Sequence, residues 1–188
     1  MQRRIFLTVL ILLISLVAWQ GVLAASLNGT PNDDTINGTD SSDRINGLGG
    51  NDTLKGFAGN DVIFGGDGKD NIDAGSGDDF VRGGIGKDII KGGLGNDNLL
   101  GQVGNDTLFG DAGADTISAG DGKDILRGGS GNDVLKGDNG NDNLLGNDGD
   151  DTLYGGAGVD TLVGGPGYDI CYADVQDKVV DCERVIKQ

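Results

Sequence analysis

From Ile36 to Leu162 an aliphatic residue (Ile, Leu or Val) returns at every ninth position, and Cys171 takes the next place in that column. The residues between these anchors repeat as well, as Gly83-Gly-Ile-Gly-Lys-Asp-Ile-Ile-Lys91 and Gly92-Gly-Leu-Gly-Asn-Asp-Asn-Leu-Leu100 show. The unit runs sixteen times between Asn28 and Cys171 without an insertion or a deletion. With its aspartate numbered 6, the aliphatic is position 8, and glycine fills position 4 from Gly50 to Gly167, most of position 1 and half of position 2. Each aliphatic U centres a three-residue strand x-U-x, in which successive side chains point to opposite faces. The other six residues, G-G-x-G-x-D, form a turn, because glycine permits the backbone angles a tight turn needs.

Two units close one coil of eighteen residues, with a strand on each side and both aliphatics facing inward. The pattern therefore predicts an all-β chain, a parallel β-roll or β-helix solenoid of about eight two-repeat coils. Of 38 glycines only Gly21 and Gly49 fall outside the three glycine columns. A flexible glycine-rich linker has no reason to hold such a phase, so the segment reads as one periodic structure.

Composition alone points elsewhere, which makes the periodicity decisive. With 36% apolar residues, 5% aromatic residues and a net charge of −16, scattered positions would suggest disorder. The acidity argues against nucleic acid as a partner, since phosphate binding needs clustered Lys and Arg. The chain has no histidine, which removes the usual zinc sites and every Ser-His-Asp or Cys-His device. No sign of an enzyme or of a small-molecule substrate site is left.

The position 6 column is invariant: Asp34, Asp43, Asp52, Asp61, Asp70, Asp79, Asp88, Asp97, Asp106, Asp115, Asp124, Asp133, Asp142, Asp151, Asp160 and Asp169. In a two-repeat coil these residues fall into two ladders, Asp34 to Asp160 on one edge and Asp43 to Asp169 on the other. Coils of a parallel stack lie ~4.8 Å apart. At that spacing two carboxylates repel by roughly 3.5 kcal/mol at an effective dielectric of about 20. A cation between them reverses the sign of that interaction. Carboxylates and turn carbonyls are hard oxygen donors in a flexible setting, which suits Ca²⁺ better than Mg²⁺. An EF-hand is excluded, because its loop needs a glutamate at position 12 and the only glutamate is Glu183, near the end of the chain. The sixteen aspartates are the candidate metal ligands.

The flanks read differently. Residues 1–24 have the form of a secretory signal peptide: Arg3 and Arg4, an apolar run from Ile5 to Trp19, then Val22-Leu-Ala24 before a cut. The roll proper occupies 25–171. Its first two units are atypical, with Asn32 and Ser41 at position 4, as terminal repeats commonly are. Residues 172–188 contain no glycine but do contain Val175, Val179, Val180, Val185 and Ile186, which predicts a closing strand or two over the last coil. In an exported chain, Cys171 and Cys182 are expected to form a disulfide.

The unit resembles the repeats-in-toxin, or haemolysin-type, calcium-binding family, whose G-G-x-G-x-D-x-U-x motif is matched in full at residues 65–73, 83–91, 92–100, 128–136 and 155–163. The resemblance implies a right-handed roll with Ca²⁺ held between neighbouring turns on the same edge. The aspartates would bridge successive ions and turn carbonyls would complete each shell. Ala74 and Ala119 at position 1, and Leu48, Phe57, Gln102 and Asp111 at position 2, depart from the motif. Asn32 and Ser41 set the N-terminal turns apart. Family members often carry a toxin, protease or lipase domain, and this sequence shows none; it resembles the small stand-alone members exported by bacteria.

The function expected is a secreted, extracellular calcium-binding protein that folds on binding several Ca²⁺ ions. The alternative is a calcium-stabilised adhesion solenoid meeting a cell surface or matrix. An ice-binding face fits poorly, because position 5 along one edge reads Ser42, Asn60, Asp78, Asn96, Ala114, Asn132, Asp150 and Tyr168, with no regular Thr array.

Overall fold

Alternation within each unit sets the architecture. In Asn98–Val103, Thr107–Ala112 and Ile125–Ser130 the position 8 residues Leu99, Leu108 and Leu126 are fully buried, while their neighbours at position 7 reach the surface. The computed structural model describes residues 23–188, so the signal peptide read over residues 1–24 lies outside the described residues but for its last two. The described chain is built from strands, with no helix among them.

The strands form two parallel sheets, one of ten strands and one of nine, and chain neighbours alternate between them. Each strand pairs with the strand one coil away. In one sheet Leu99, Ile117, Leu135, Leu153 and Cys171 lie side by side, and in the other Leu108, Leu126, Leu144 and Leu162 do. These two inward columns meet as a single core, closed by the half-buried Leu27 and Ile36 at one end and by Val179 at the other. Removing each such side chain from water is worth about 1.5–3 kcal/mol.

Two expectations change. The strands are longer than three residues: Thr107–Ala112 and its central counterparts run from position 7 through position 3 of the next unit. Only positions 4–6 remain as turn. Positions 1–3 stay in the ladder, with Asp111 facing Gly129 and Ala112 facing Ser130, and position 3 carbonyls accept the N–H of the first turn residue one coil earlier, as in Gly104 N–H to Asp121 O and Gly113 N–H to Ser130 O, both 2.8 Å. The coil count also grows to about nine. Ser26–Asn28 adds a strand at the start, and the tail adds Lys178–Val180 and Arg184–Lys187, which extend the two sheets in parallel. The tail therefore closes the stack by continuing it. Cys171 and Cys182 are joined by a disulfide, which ties the last inward column to that added coil.

Position 2 is where the strand bends, and from Leu48 to Gly165 it is left-handed. Its glycines have φ between +100° and +126°, while Leu48, Phe57, Gln102, Asp111, Asp138 and Asn147 sit there at φ +66° to +83°. A residue with a Cβ costs about 1–2 kcal/mol in that region, and glycine returns about 0.5–1 kcal/mol of this as chain entropy. Phe57 is half exposed, so its ring loses little on removal. Phe57→Gly is accordingly expected to raise stability by up to about 1 kcal/mol. Gly84→Ala, whose methyl would run into the carbonyl of Gly66, is expected to lower it. Denaturant midpoints in saturating Ca²⁺ measure both, and a fall for Phe57→Gly would overturn the argument.

Candidate metal centre

Each position 6 aspartate stands at the end of a turn, immediately before a strand, with its side chain folded back into the coil edge. Asp52 through Asp169 are almost fully buried, none more than 3% exposed. Their two carboxylate oxygens have different surroundings. Oδ1 accepts a hydrogen bond from the backbone N–H of the aspartate one coil earlier: Asp88 N–H donates to Asp106 Oδ1 at 2.8 Å, and Asp106 N–H to Asp124 Oδ1 at 2.7 Å. On the other edge Asp79, Asp97, Asp115 and Asp133 repeat this at 2.7–2.8 Å. The two ladders expected from the eighteen-residue coil are present, one on each edge, and Asp97 belongs to the edge opposite Asp88 and Asp106.

Oδ2 is the open end of each group. In fourteen of the sixteen aspartates, from Asp52 to Asp169, it is screened from solvent and accepts no hydrogen bond from the protein. One such atom is a costly exception in a folded protein, and a row of fourteen calls for a cation. Glycine at position 1 makes the arrangement possible. A methyl on Gly83 would lie 2.5 Å from Asp88 Oδ2 and 3.0 Å from the carbonyl oxygen of Gly101 in the next coil. Without that methyl, a carboxylate oxygen and a carbonyl oxygen of the adjacent coil come together against the backbone. Among the described residues no three Asp, Glu or Cys side chains converge on one point. A metal ion here would take one or two carboxylates and complete its shell with main-chain oxygens, a donor set that fits a hard ion with flexible coordination.

Asp34 and Asp43 differ. Asp34 Oδ2 accepts from the N–H and hydroxyl of Thr30 at 2.6 and 2.9 Å, and Asp43 Oδ2 accepts from the same groups of Thr39 at 2.5 and 3.0 Å. The first turn on each edge thus satisfies its aspartate with protein donors. This marks the N-terminal turns as exceptional for a reason other than Asn32 and Ser41. Ala74 and Ala119 are fully buried at position 1 without disturbing the ladder: Asp79 and Asp124 still accept at Oδ1 from Asp61 N–H and Asp106 N–H, both at 2.7 Å, and keep an unpartnered Oδ2.

Burial is the main influence on the protonation of these groups. It pushes the carboxyls of Asp88, Asp106, Asp115 and Asp133 up from the ordinary aspartate value. The backbone N–H donated to each holds it down in part, and for Asp88 and Asp133 neighbouring ladder carboxylates raise it further.

Two ladder members are not evident from the nine-residue phase. Asp160 N–H donates to Asp177 Oδ1 at 2.9 Å, and Asp169 N–H donates to Glu183 Oε2 at 2.7 Å. Both belong to the tail, offset by 17 and 14 residues where the rest of the ladder keeps 18. The aliphatic register shifts equally, Leu162 pairing with Val179 and Cys171 with Val185. Asp177-Lys-Val179 and Glu183-Arg-Val185 are thus two shortened units that keep acid-x-aliphatic and lose the glycines. Position 5 also has a role: Asn60, Asp78 and Asn96 accept the N–H of the position 5 residue in the next coil at 2.8–3.1 Å. This outer bond runs opposite in direction to the aspartate ladder and braces the same turns.

A family model described as the RTX calcium-binding nonapeptide repeat, in four copies, matches residues 28–63, 37–72, 49–81, 64–99, 100–135 and 136–171. No curated protein matches the chain.

Proposed function

This chain belongs to the RTX calcium-binding nonapeptide repeat family, and from that premise we propose that it is an exported protein that takes up Ca²⁺ along both coil edges and folds as it does so. The observation that carries the reading is the row of fourteen buried, unpartnered Oδ2 atoms. Asp52 through Asp169 supply the carboxylates, with carbonyl oxygens of position 1 in the following coil beside most of those up to Asp151. Asp34 and Asp43 serve as structural ends, their second oxygens held by Thr30 and Thr39. When bound, Ca²⁺ supplies positive charge between carboxylates that the chain has already desolvated.

Export follows from the basic and apolar start at residues 1–24, with the roll at 25–171 and the closing tail at 172–188 as the released protein. In a compartment poor in Ca²⁺ the chain stays open, and outside the cell the free energy of binding becomes free energy of folding. The reading includes no catalytic step.

Neighbours along an edge should govern binding, and neighbours in sequence should not. Asp106→Ala removes one ladder rung next to Asp88, while Asp97 lies across the roll. Titration calorimetry on the single and double variants is expected to give a coupling of about 1 kcal/mol or more between Asp88→Ala and Asp106→Ala. For Asp97→Ala with Asp106→Ala it should be within about 0.5 kcal/mol of additive. Equal coupling for both pairs would overturn the proposed ion positions.

A further inference from the structure

The tail changes the chemistry at one corner of the roll. Along the ladders the neighbour of Oδ2 over most position 1 glycines is a backbone carbonyl, such as that of Gly101 beneath Gly83. At Gly155 it is a second carboxylate. A methyl there would stand 2.8 Å from Asp160 Oδ2 and 3.0 Å from Asp177 Oδ2, so two acidic oxygens from successive coils face one point. Asp160 is 1% exposed and its Oδ2 has no hydrogen-bond donor. Asp177 is held in place from both sides: its Oδ1 accepts from Asp160 N–H and its Oδ2 from Asp174 N–H, at 2.9 and 2.8 Å. The opposite edge ends otherwise, with the carbonyl of Asp181 and the Oδ2 of Asp169 over Gly164.

We propose that Asp160 and Asp177 form a separate divalent-cation site between the last repeat and the tail, built on two carboxylates and occupied by Ca²⁺. The proposal rests on the ladder reading for its choice of ion. It goes beyond that reading in placing a ligand outside the nonapeptide units, in a segment with no glycine. Two hard anionic oxygens at one point, one of them otherwise unpartnered and buried, are what a divalent oxygen-seeking ion requires. Lys178, the residue between Asp177 and Val179, is exposed.

The test is the number of Ca²⁺ ions bound per purified protein, by equilibrium dialysis with metal analysis. Asp177→Asn keeps an Oδ1 for the Asp160 N–H and removes the charge. It is expected to bind one ion fewer than the parent, while Asp174→Asn, whose side chain faces Gln176 N–H, binds the parent number. The disulfide and the pairing of Leu162 with Val179 keep the tail docked in both variants. Asp177→Ser is an independent route: a serine hydroxyl already accepts a backbone N–H across one coil in this roll, Asn60 N–H to Ser42 Oγ at 2.9 Å, and the variant carries no carboxylate. It should lose the same single ion, and it decides alone if the Asn variant does not fold. A full complement of ions in Asp177→Ser, or in folded Asp177→Asn, overturns this site and leaves the ladders standing. A parent protein that binds no Ca²⁺ overturns both.

Discussion

Chelation is expected to unfold this protein completely. In EDTA the far-UV circular dichroism spectrum should show a chain without β structure, and millimolar Ca²⁺ should restore it. The magnitude follows from the edges. Fourteen buried Oδ2 atoms lack a donor, and burying an unpaired carboxylate costs several kcal/mol after relaxation. Domains of this size are stable by about 5–15 kcal/mol in total, so a handful of these sites left bare exceeds the whole margin. The core cannot compensate, being one aliphatic per nine residues in a chain where the glycines from Gly29 to Gly167 must all be ordered. A β spectrum in chelator that Ca²⁺ leaves unchanged would overturn metal-coupled folding.

Protons should act on the same oxygens, with opposite consequences in the two metal states. Burial is the largest cause of the raised carboxyls, with a backbone N–H opposing it and neighbouring aspartates adding to it. Asp79, Asp88, Asp133 and Asp142 are pushed up to about 7, and Asp97, Asp124 and Asp151 to about 6. The unfolded value is 3.8. Between pH 4 and 7 the metal-free roll therefore holds protons that the unfolded chain has released. Its stability is greatest below the unfolded value and is lost as pH rises through 6–7. Acidifying the chelated protein from pH 7 to 4 is expected to recover β structure. With Ca²⁺ present the sign reverses, because the ion requires the deprotonated groups. The Ca²⁺ concentration at half-folding should rise by about tenfold or more between pH 7.5 and 5, as several linked protons must leave. Circular dichroism across both titrations measures this. A chelated chain that stays open down to pH 4, or a Ca²⁺ midpoint indifferent to pH, would sink it.

Much of this molecule is written in nine-residue steps. The inward Leu, Ile and Val column, the parallel sheets, the two-repeat coil and the two aspartate ladders all follow from a strict local phase, since each unit repeats the same backbone problem and the same solution. Such information survives without knowing what touches what. Even the disulfide was legible, because Cys171 falls in the inward column and Cys182 follows closely.

What tertiary structure alone decided are the contacts between units that are far apart in sequence. Which oxygen of each aspartate is spent on the previous coil, and which is left over, depends on a backbone N–H eighteen residues away. Thr30 and Thr39 close the first turns because the N–H and hydroxyl of position 2 reach Oδ2 there, which every later position 2 residue leaves open. Leu48 and Phe57 reveal the bend at position 2 only through their φ angles. The tail escaped the phase because its two units are shortened, to offsets of 17 and 14 residues. A register held by hydrogen bonds to the preceding coil tolerates such deletions, while a period read along the chain does not. Asp177 and Glu183 are therefore rungs of the ladder by position in space, and the sequence determined only that an acid stood two residues before a valine.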